Sequence, residues 1–347
     1  MPKKDSQRPK TDGKTRVTVI DVARHAGVSQ ATVSQVLNGS RPVSEATSAR
    51  VLRSIELLGY RPNQLARALR YQRSQTVAIV VPNMLHEIYP SVAHGVSEVL
   101  RPLGYQVALY DTDNAARIET QVVRAIAERM TDGVILFGHP LTRTDARILL
   151  DLDIALVNGG LDDDVARPWD TVRIRQADAM RDMVVLLASR YDGPIAYVGG
   201  PADHSTAPVR EAGFRSGMAL VGRDIDESLM ITIAEYSWAS GRDEFARLLA
   251  HGKRPRLAIC ANDLVAIGAI AAARSVGLRV PEDIAVSGFD NTVAAAMSVP
   301  PLTTIETYPY EQGRACARLL LDRIDGGYTG PPRFMSLAAE IVERESA

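Results

Sequence analysis

The side chains that could do chemistry in this sequence are scattered rather than clustered. No G-x-x-x-x-G-K-[S/T] run exists to cradle phosphate, and no G-x-G-x-x-G follows a strand pattern. No G-x-S-x-G elbow is present, and the six histidines lack zinc spacing. What remains is a set of polar residues just after short apolar, β-rich runs. Asn158 follows Ile154–Val157, Asn262-Asp263 follows Leu257–Cys260, Asp290-Asn291 follows Ile284–Phe289, and Asp111 follows Val107–Tyr110. Carboxamides and carboxylates there suit hydrogen bonding to a small ligand, because open α/β sheets bind at the C-terminal ends of their strands. The plainer alternative is that they cap helices or form turns; Asp263 in particular is expected to cap the helix that follows it. No nucleophile stands beside a base, so an enzyme is not expected, and no cofactor is expected either.

A second constellation lies near the N-terminus. Thr18 opens a Thr-x-x-Asp capping pattern ahead of Val22, Ala23 and Ala26, and Gly27 stops that helix after about two turns. Ser29 caps a second helix with Val33, Val36 and Leu37 on one face, leaving Gln30, Ala31, Ser34, Gln35 and Asn38 on the other. Short polar side chains on such a face can reach base edges in a major groove. Ser44 opens a third helix, striped by Val51, Ile55 and Leu58 and closed by Gly59. Beyond it, Tyr60-Arg-Pro-Asn-Gln-Leu-Ala-Arg-Ala-Leu69 allows only about two helical turns, too few to be stable alone in water. Such a segment either packs on the body as a linker or orders against a partner.

Charge and composition position these two constellations in separate domains. Residues 1–73 hold 14 Lys+Arg against 5 Asp+Glu, a net of +9, and the remainder holds 26 against 36, a net of −10. A basic head on an acidic body joins a polyanion-binding module to something else. Residues 1–16 read as a disordered basic arm, 17–60 as a helix-turn-helix domain, 61–74 as a hinge helix and linker, and 75–347 as the body. In the body, β-rich runs at 77–81, 107–110, 134–137, 154–157, 195–198, 230–233, 257–260 and 284–289 alternate with amphipathic stretches such as 117–130, 177–189, 209–221 and 263–276. That alternation implies parallel sheets covered by helices on both faces, and roughly 270 residues are enough for two such lobes. Two cysteines and no long apolar run exclude a disulfide-stapled, secreted or membrane-spanning chain, so a cytoplasmic location is expected.

The run from Val17 to Asn38, the Tyr60–Leu69 hinge and the α/β body together resemble the lac repressor (LacI/GalR) family over nearly the whole chain after the arm. The resemblance implies a small all-α helix-turn-helix domain plus an α/β body of two doubly wound parallel-sheet lobes, like a periplasmic binding protein. It implies lobes of about 75–172 with 303–333 and about 173–302 with 334–347. It assigns DNA contacts to Thr18, Val19, Ser29, Gln30, Ala31, Thr32, Ser34, Gln35 and Asn38. In the hinge it assigns Asn63, Ala66 and Leu69, with Leu69 wedging open the central step of a near-palindromic operator. For the body it implies an effector site of Arg210 and Asp290, with Asn262, Tyr236, Tyr89 and Asn158 around them. An arginine fork and an aspartate facing one cleft suit the vicinal hydroxyls of a carbohydrate. The partners implied are operator double-stranded DNA, a small effector and a second copy of the chain; no leucine-heptad tail follows Met335, which points to a dimer rather than a tetramer.

Two departures from the family pattern matter. Gln35 follows Thr32-Val33-Ser34 where the family usually has arginine, so adenine is expected over guanine at that half-site position unless Gln35 touches only phosphate. The first loop reads Asn83-Met-Leu-His86-Glu-Ile-Tyr89 in place of Asp-x-x-Asn-Pro-Phe-Phe, and His86 is expected to lie at the surface or in loop packing rather than to contact a ligand. The reading is a ligand-responsive transcriptional repressor. A periplasmic solute-binding protein would have no use for residues 17–70, and a hydrolase on this fold would need a cleft nucleophile.

Overall fold

A computed structural model describes residues 17–38, 42–60, 73–113, 116–128, 131–137, 143–152, 154–160 and 168–347. The chain divides into two compact units, one ending at Ser74 and the other beginning at Gln75. The expected arm, residues 1–16, and most of the expected hinge, residues 61–72, lie outside the described residues.

The first unit is helical because its caps and apolar spacing leave little alternative. Helix α1 (Val19–Ala26) starts at a complete capping box, with Thr18 and Asp21 satisfying each other's backbone N–H groups, and ends at Gly27 in the left-handed region, φ 61°. Helix α2 (Gln30–Asn38) begins where Ser29 Oγ accepts from Thr32 N at 3.1 Å. Helix α3 (Glu45–Leu58) is capped by Ser44 and closed by Gly59. Val22, Ala23, Ala26, Val33 and Val51 are buried together at the junction of the three helices. Small Ala23 and Ala26 let α1 lie close to its neighbours, so a short helix pair acquires a core it could not have alone.

Among the described residues the second unit contains two parallel sheets and a two-stranded antiparallel one. Strands β1 (Thr76–Val81), β2 (Gln106–Asp111), β3 (Gly133–Leu136), β4 (Ala155–Asn158), β5 (Asp170–Ile174) and β11 (Phe334–Leu337) form a six-stranded parallel sheet in the order β11-β5-β4-β3-β1-β2. Helices α4 (Ile88–Leu100) and α12 (Pro309–Ile324) cover one face; α5 (Ala116–Glu128) and α6 (Arg143–Asp151) belong to the other. The α4–α12 contact is unusually close. A Cβ on Gly95 would stand 2.1 Å from the Tyr310 carbonyl oxygen, and one on Gly313 the same distance from that of Val92.

The second sheet, in the order β7-β6-β8-β9, is formed by β6 (Ile195–Gly199), β7 (Met230–Thr232), β8 (Leu257–Cys260) and β9 (Ala285–Ser287). Helices α7 (Gln176–Ala188) and α8 (Thr206–Leu220) pack on one face; α9 (Trp238–Ala250) and α10 (Asp263–Ser275) pack on the other. A short helix α11 (Val293–Met297) follows β9. Strands β10 (Thr304–Glu306) and β12 (Glu340–Val342) pair antiparallel. Bridges from Ser287 to Thr303 and from Asp290 to Glu306 attach β10 to the second lobe.

These pairings move the crossings between lobes. Residues 303–306 were expected in the first lobe and lie with the second; 334–337 were expected in the second and form an edge of the first sheet, beside β5. Backbone pairing decides this, and a three- or four-residue strand leaves too weak a pattern to show its partner. Strand β5 also runs to Ile174, beyond the expected break at 172. Among the described residues no helix is long and apolar enough to cross a membrane.

Candidate functional site

On the first unit, Gln30 and Ala31 are exposed, and Thr32, Ser34 and Gln35 are half-buried on the same helix. Thr18 and Val19 lie at the start of α1, Thr18 exposed and Val19 half-buried. The hydroxyls of Ser29 and Thr32 lie 2.9 Å apart, and Ser29 also caps α2, so these two side chains organise the helix entry. Asn38 ends α2 and its side chain lies outside the described residues, as do Asn63, Ala66 and Leu69. The assembled surface is a turn that aims the N-terminal half of α2 outward, which is the geometry for entering a major groove.

In the second unit the strands of both lobes end toward a common cleft. Arg210, on α8, is 5% exposed, and each part of its fork is engaged. Nε donates to Gln176 Oε1 at 2.8 Å, Nη2 donates to Asp290 Oδ1 at 3.0 Å, and Nη1 donates to the Ala261 carbonyl. The guanidinium carbon lies 3.9 Å from the Phe289 ring centroid. Burial works most strongly against the Arg210 charge, but Asp290 together with Tyr236 and Tyr197 outweighs it, so its pKa lies above the ordinary range.

Asp290 sits in a strained turn, with φ of 106° there and 49° at Asn291. The turn is held from behind. Asp290 N donates to the Ile305 carbonyl at 2.8 Å, and Asp263 Oδ2 accepts from Thr292 N at 2.7 Å and from Thr292 Oγ1 at 3.0 Å. Burial, reinforced by the Asp290 charge, pushes the Asp263 carboxyl up to about 7 against its hydrogen bonds from Thr304 and Thr292.

Tyr89, Phe137, Gly159 and Gly160 bring the first lobe to the cleft opposite Arg210, Asp290, Gln176 and Thr206. The Tyr89 and Phe137 rings meet edge-on at 5.9 Å, and burial raises the Tyr89 hydroxyl pKa. Tyr236 OH lies 3.1 Å from Thr206 Oγ1, and the Tyr236 ring packs edge-on against His204 at 4.9 Å. His86 reaches across from the first lobe. Asn262 Nδ2 lies 3.1 Å from His86 Nε2, and Asp290 Oδ2 lies 3.6 Å from the same nitrogen. Burial lowers the His86 pKa, with Asp290 pulling the other way. About 40 Å³ remains between the walls, little more than a water molecule occupies and far below the ~300–1,000 Å³ of ligand pockets.

Comparison with known proteins places this architecture. Residues 18–63 match the model for bacterial regulatory proteins of the lacI family, and residues 186–347 match that for the periplasmic binding protein-like domain. The transcriptional regulator RegA of Clostridium saccharobutylicum is 33% identical over 95% of this chain and 98% of its own length. The chain belongs to the lacI family of bacterial regulatory proteins. Among solved structures, a lac repressor dimer bound to operator and the anti-inducer ONPF superposes with a TM-score of 0.84 at 26% identity, covering 96% of this chain and 99% of that one. A complex of the transcriptional regulator CelR with cellobiose superposes at 0.71 with 31% identity, covering 96% and 100%. The protein is thus a DNA-binding transcriptional regulator with an effector-binding body, and its relatives are regulators rather than enzymes.

Within this lacI-family body, Tyr89, Arg210 and Asp290 line the cleft, and Asn262 and Tyr236 stand next to it through contacts with His86; the rings of His86 and Tyr236 are 6.2 Å apart. Asn158 is different. It is fully buried, its Oδ1 accepts from Gly160 N at 3.0 Å, and the wall beside it is made by Gly159 and Gly160. Asp111 holds loops, accepting from Met84 N and Asp113 N. Asp263 does not cap α10: Asn262 does, through Val265 N at 2.9 Å, and Asp263 turns inward to the Thr292 turn. His86, expected at the surface or in loop packing, bridges the lobes to Asn262 and Asp290. Gln176 and Gln312 escaped notice because an isolated glutamine in a helical stretch carries no spacing signal; here Gln176 accepts from Arg210 and Gln312 donates to the Gly159 carbonyl.

Proposed function

We propose that this regulator is a repressor whose affinity for a near-palindromic operator is set by a neutral carbohydrate or related polyol held between the lobes. The observation that carries the reading is the buried Arg210–Asp290 pair flanked by Tyr89 and Tyr236. The guanidinium neutralises the carboxylate, so the pair offers no net positive charge to a phosphate or a carboxylate ligand. Asp290 Oδ2 has no hydrogen-bond partner among the described residues and can accept from a hydroxyl, and the aromatic faces suit C–H surfaces. The CelR structure with cellobiose and the lac repressor structure with operator support both halves of the reading.

On this reading the protein acts in the cytoplasm as a homodimer. Thr18, Val19, Ser29, Gln30, Ala31, Thr32, Ser34, Gln35 and Asn38 serve the major groove, and a hinge at 61–74 serves the minor groove through Asn63, Ala66 and Leu69. Tyr89, Arg210, Tyr236, Asn262 and Asp290 serve the effector. Effector binding changes the angle between the lobes, and operator and effector alter each other's affinity by one common factor, typically ~5–150-fold. The test is operator selection with the full chain, followed by titration of the selected duplex against cellobiose and a panel of mono- and disaccharides. A shift in operator affinity of that order with at least one sugar is expected. If millimolar concentrations of every sugar leave operator affinity unchanged, the carbohydrate reading is wrong; loss of specific binding on Leu69→Ala is expected, and its retention removes the hinge from the scheme.

A further inference from the structure

The seat between Asn262 and Asp290 poses a hydrogen-bonding problem that its occupant cannot solve. Asn262 Oδ1 is committed to the cap of α10, so its Nδ2, a donor, is the atom that faces His86 Nε2 at 3.1 Å. His86 Nε2 therefore accepts, and the ring proton lies on Nδ1, which is buried and has no partner among the described residues. That leaves the Nε2 lone pair facing Asp290 Oδ2 at 3.6 Å, acceptor against acceptor, with Oδ2 also lacking a hydrogen bond among the described residues. Putting the proton on Nε2 instead faces Asp290 but turns donor against donor at Asn262. No neutral tautomer satisfies both walls.

A hydroxyl does, because it accepts from Asn262 Nδ2 while donating to Asp290 Oδ2. His86 arrives from the first lobe, in the segment after β1, while Asn262 and Asp290 follow β8 and β9 of the second. Its side chain is only 15% exposed, and the cleft on the Arg210 side of Asp290 retains about 40 Å³. A sugar cannot enter that space alongside it.

We propose that His86 is a resident stand-in for an effector hydroxyl: it bridges the two lobes through the Asn262–Asp290 seat, and the effector binds by displacing it. This rests on the carbohydrate reading of the cleft for the identity of the displacing group, but the bridging itself does not. The residue sets specificity by exclusion, since only a ligand that supplies both a donor and an acceptor at that seat replaces an imidazole with a better partner. It also lowers apparent affinity, because the competent cleft is populated only when His86 is out.

Two substitutions separate a competitor from a direct ligand contact. His86→Ala removes the stand-in. His86→Gln carries an amide that donates to Asp290 and accepts from Asn262, a better occupant than imidazole. Affinities for cellobiose, glucose and their panel relatives are measured by calorimetry on the full chain, and lobe separation by electron–electron distance between spin labels on Leu150→Cys and Leu220→Cys. Those positions are 41% and 66% exposed on opposite lobes, and the native Cys260 and Cys316 are buried. The expected result is that His86→Ala binds sugar roughly 3–10-fold more tightly and lengthens the label distance, while His86→Gln binds more weakly at the wild-type distance. If both variants bind sugar more weakly or unchanged, or the label distance in His86→Ala equals that of the wild type, the stand-in is refuted. If no sugar binds any variant, the carbohydrate reading fails, and the label distance alone decides whether His86 bridges the lobes.

Discussion

Arg210→Met tests whether the cleft pair is an electrostatic unit rather than two adjacent polar residues. In the wild type the Asp290 side chain is 1% exposed, with Arg210 3.0 Å away. Methionine retains much of the apolar bulk against Phe289 but leaves the carboxylate buried without its cation, close enough to Asp263 for each charge to disfavour the other. Breaking a buried pair by removing one partner costs about 3–5 kcal/mol, whereas replacing both partners by apolar groups is often neutral. At roughly 2–4 °C per kcal/mol for a domain of this size, the body should melt ~6–20 °C lower by calorimetry at pH 8.

The same reasoning makes a second substitution diagnostic. Adding Asp290→Leu should restore most of the melting temperature at pH 8 while abolishing effector binding. A deficit below about 1 kcal/mol at pH 8, or one that persists in full in the Arg210→Met/Asp290→Leu protein, refutes the pair as the source of the effect.

Asp263 offers an independent pH test: with its carboxyl raised from 3.8 to about 7, it favours the folded state at low pH and loses that contribution as pH climbs through 7. Asp263→Asn, which cannot ionise, should gain on the wild type between pH 5 and 8 by at most roughly 3 kcal/mol, and a flat difference in melting temperature across that range would contradict it. Gly95→Ala should destabilise by about 1–3 kcal/mol because its Cβ meets the Tyr310 carbonyl at 2.1 Å; the up to ~1 kcal/mol gain in melting stability expected from helix propensity alone would show that α4 and α12 yield. Gln35→Arg should move base preference at one half-site position from adenine to guanine in a binding-site selection, and an identical preference in both proteins would place Gln35 on phosphate.

What could be read from the chain alone follows from short-range rules. The caps at Thr18, Ser29 and Ser44, the stops at Gly27 and Gly59, and the apolar runs of β1, β3, β6 and β8 are each settled within a few residues by sterics, capping and burial. Arg210 and Asp290, which line the cleft, were legible as candidate site residues because the runs around them resemble the family's. His86, Gln176 and Gln312 were not, since nothing local distinguishes a bridging side chain from a solvated one. Nor could local pattern show that 304–306 sides with the second lobe and 334–337 with the first, or that Asn262 and not Asp263 caps α10. Sequence periodicity reports which face of an element is buried; it does not report what lies opposite. Asn262 and His86 are 176 positions apart and meet at 3.1 Å only because two separately closed sheets aim their strand ends at each other. The sequence therefore determined the kind of elements and the sort of protein they build, and the packing of the two lobes decided which polar atoms face across the cleft.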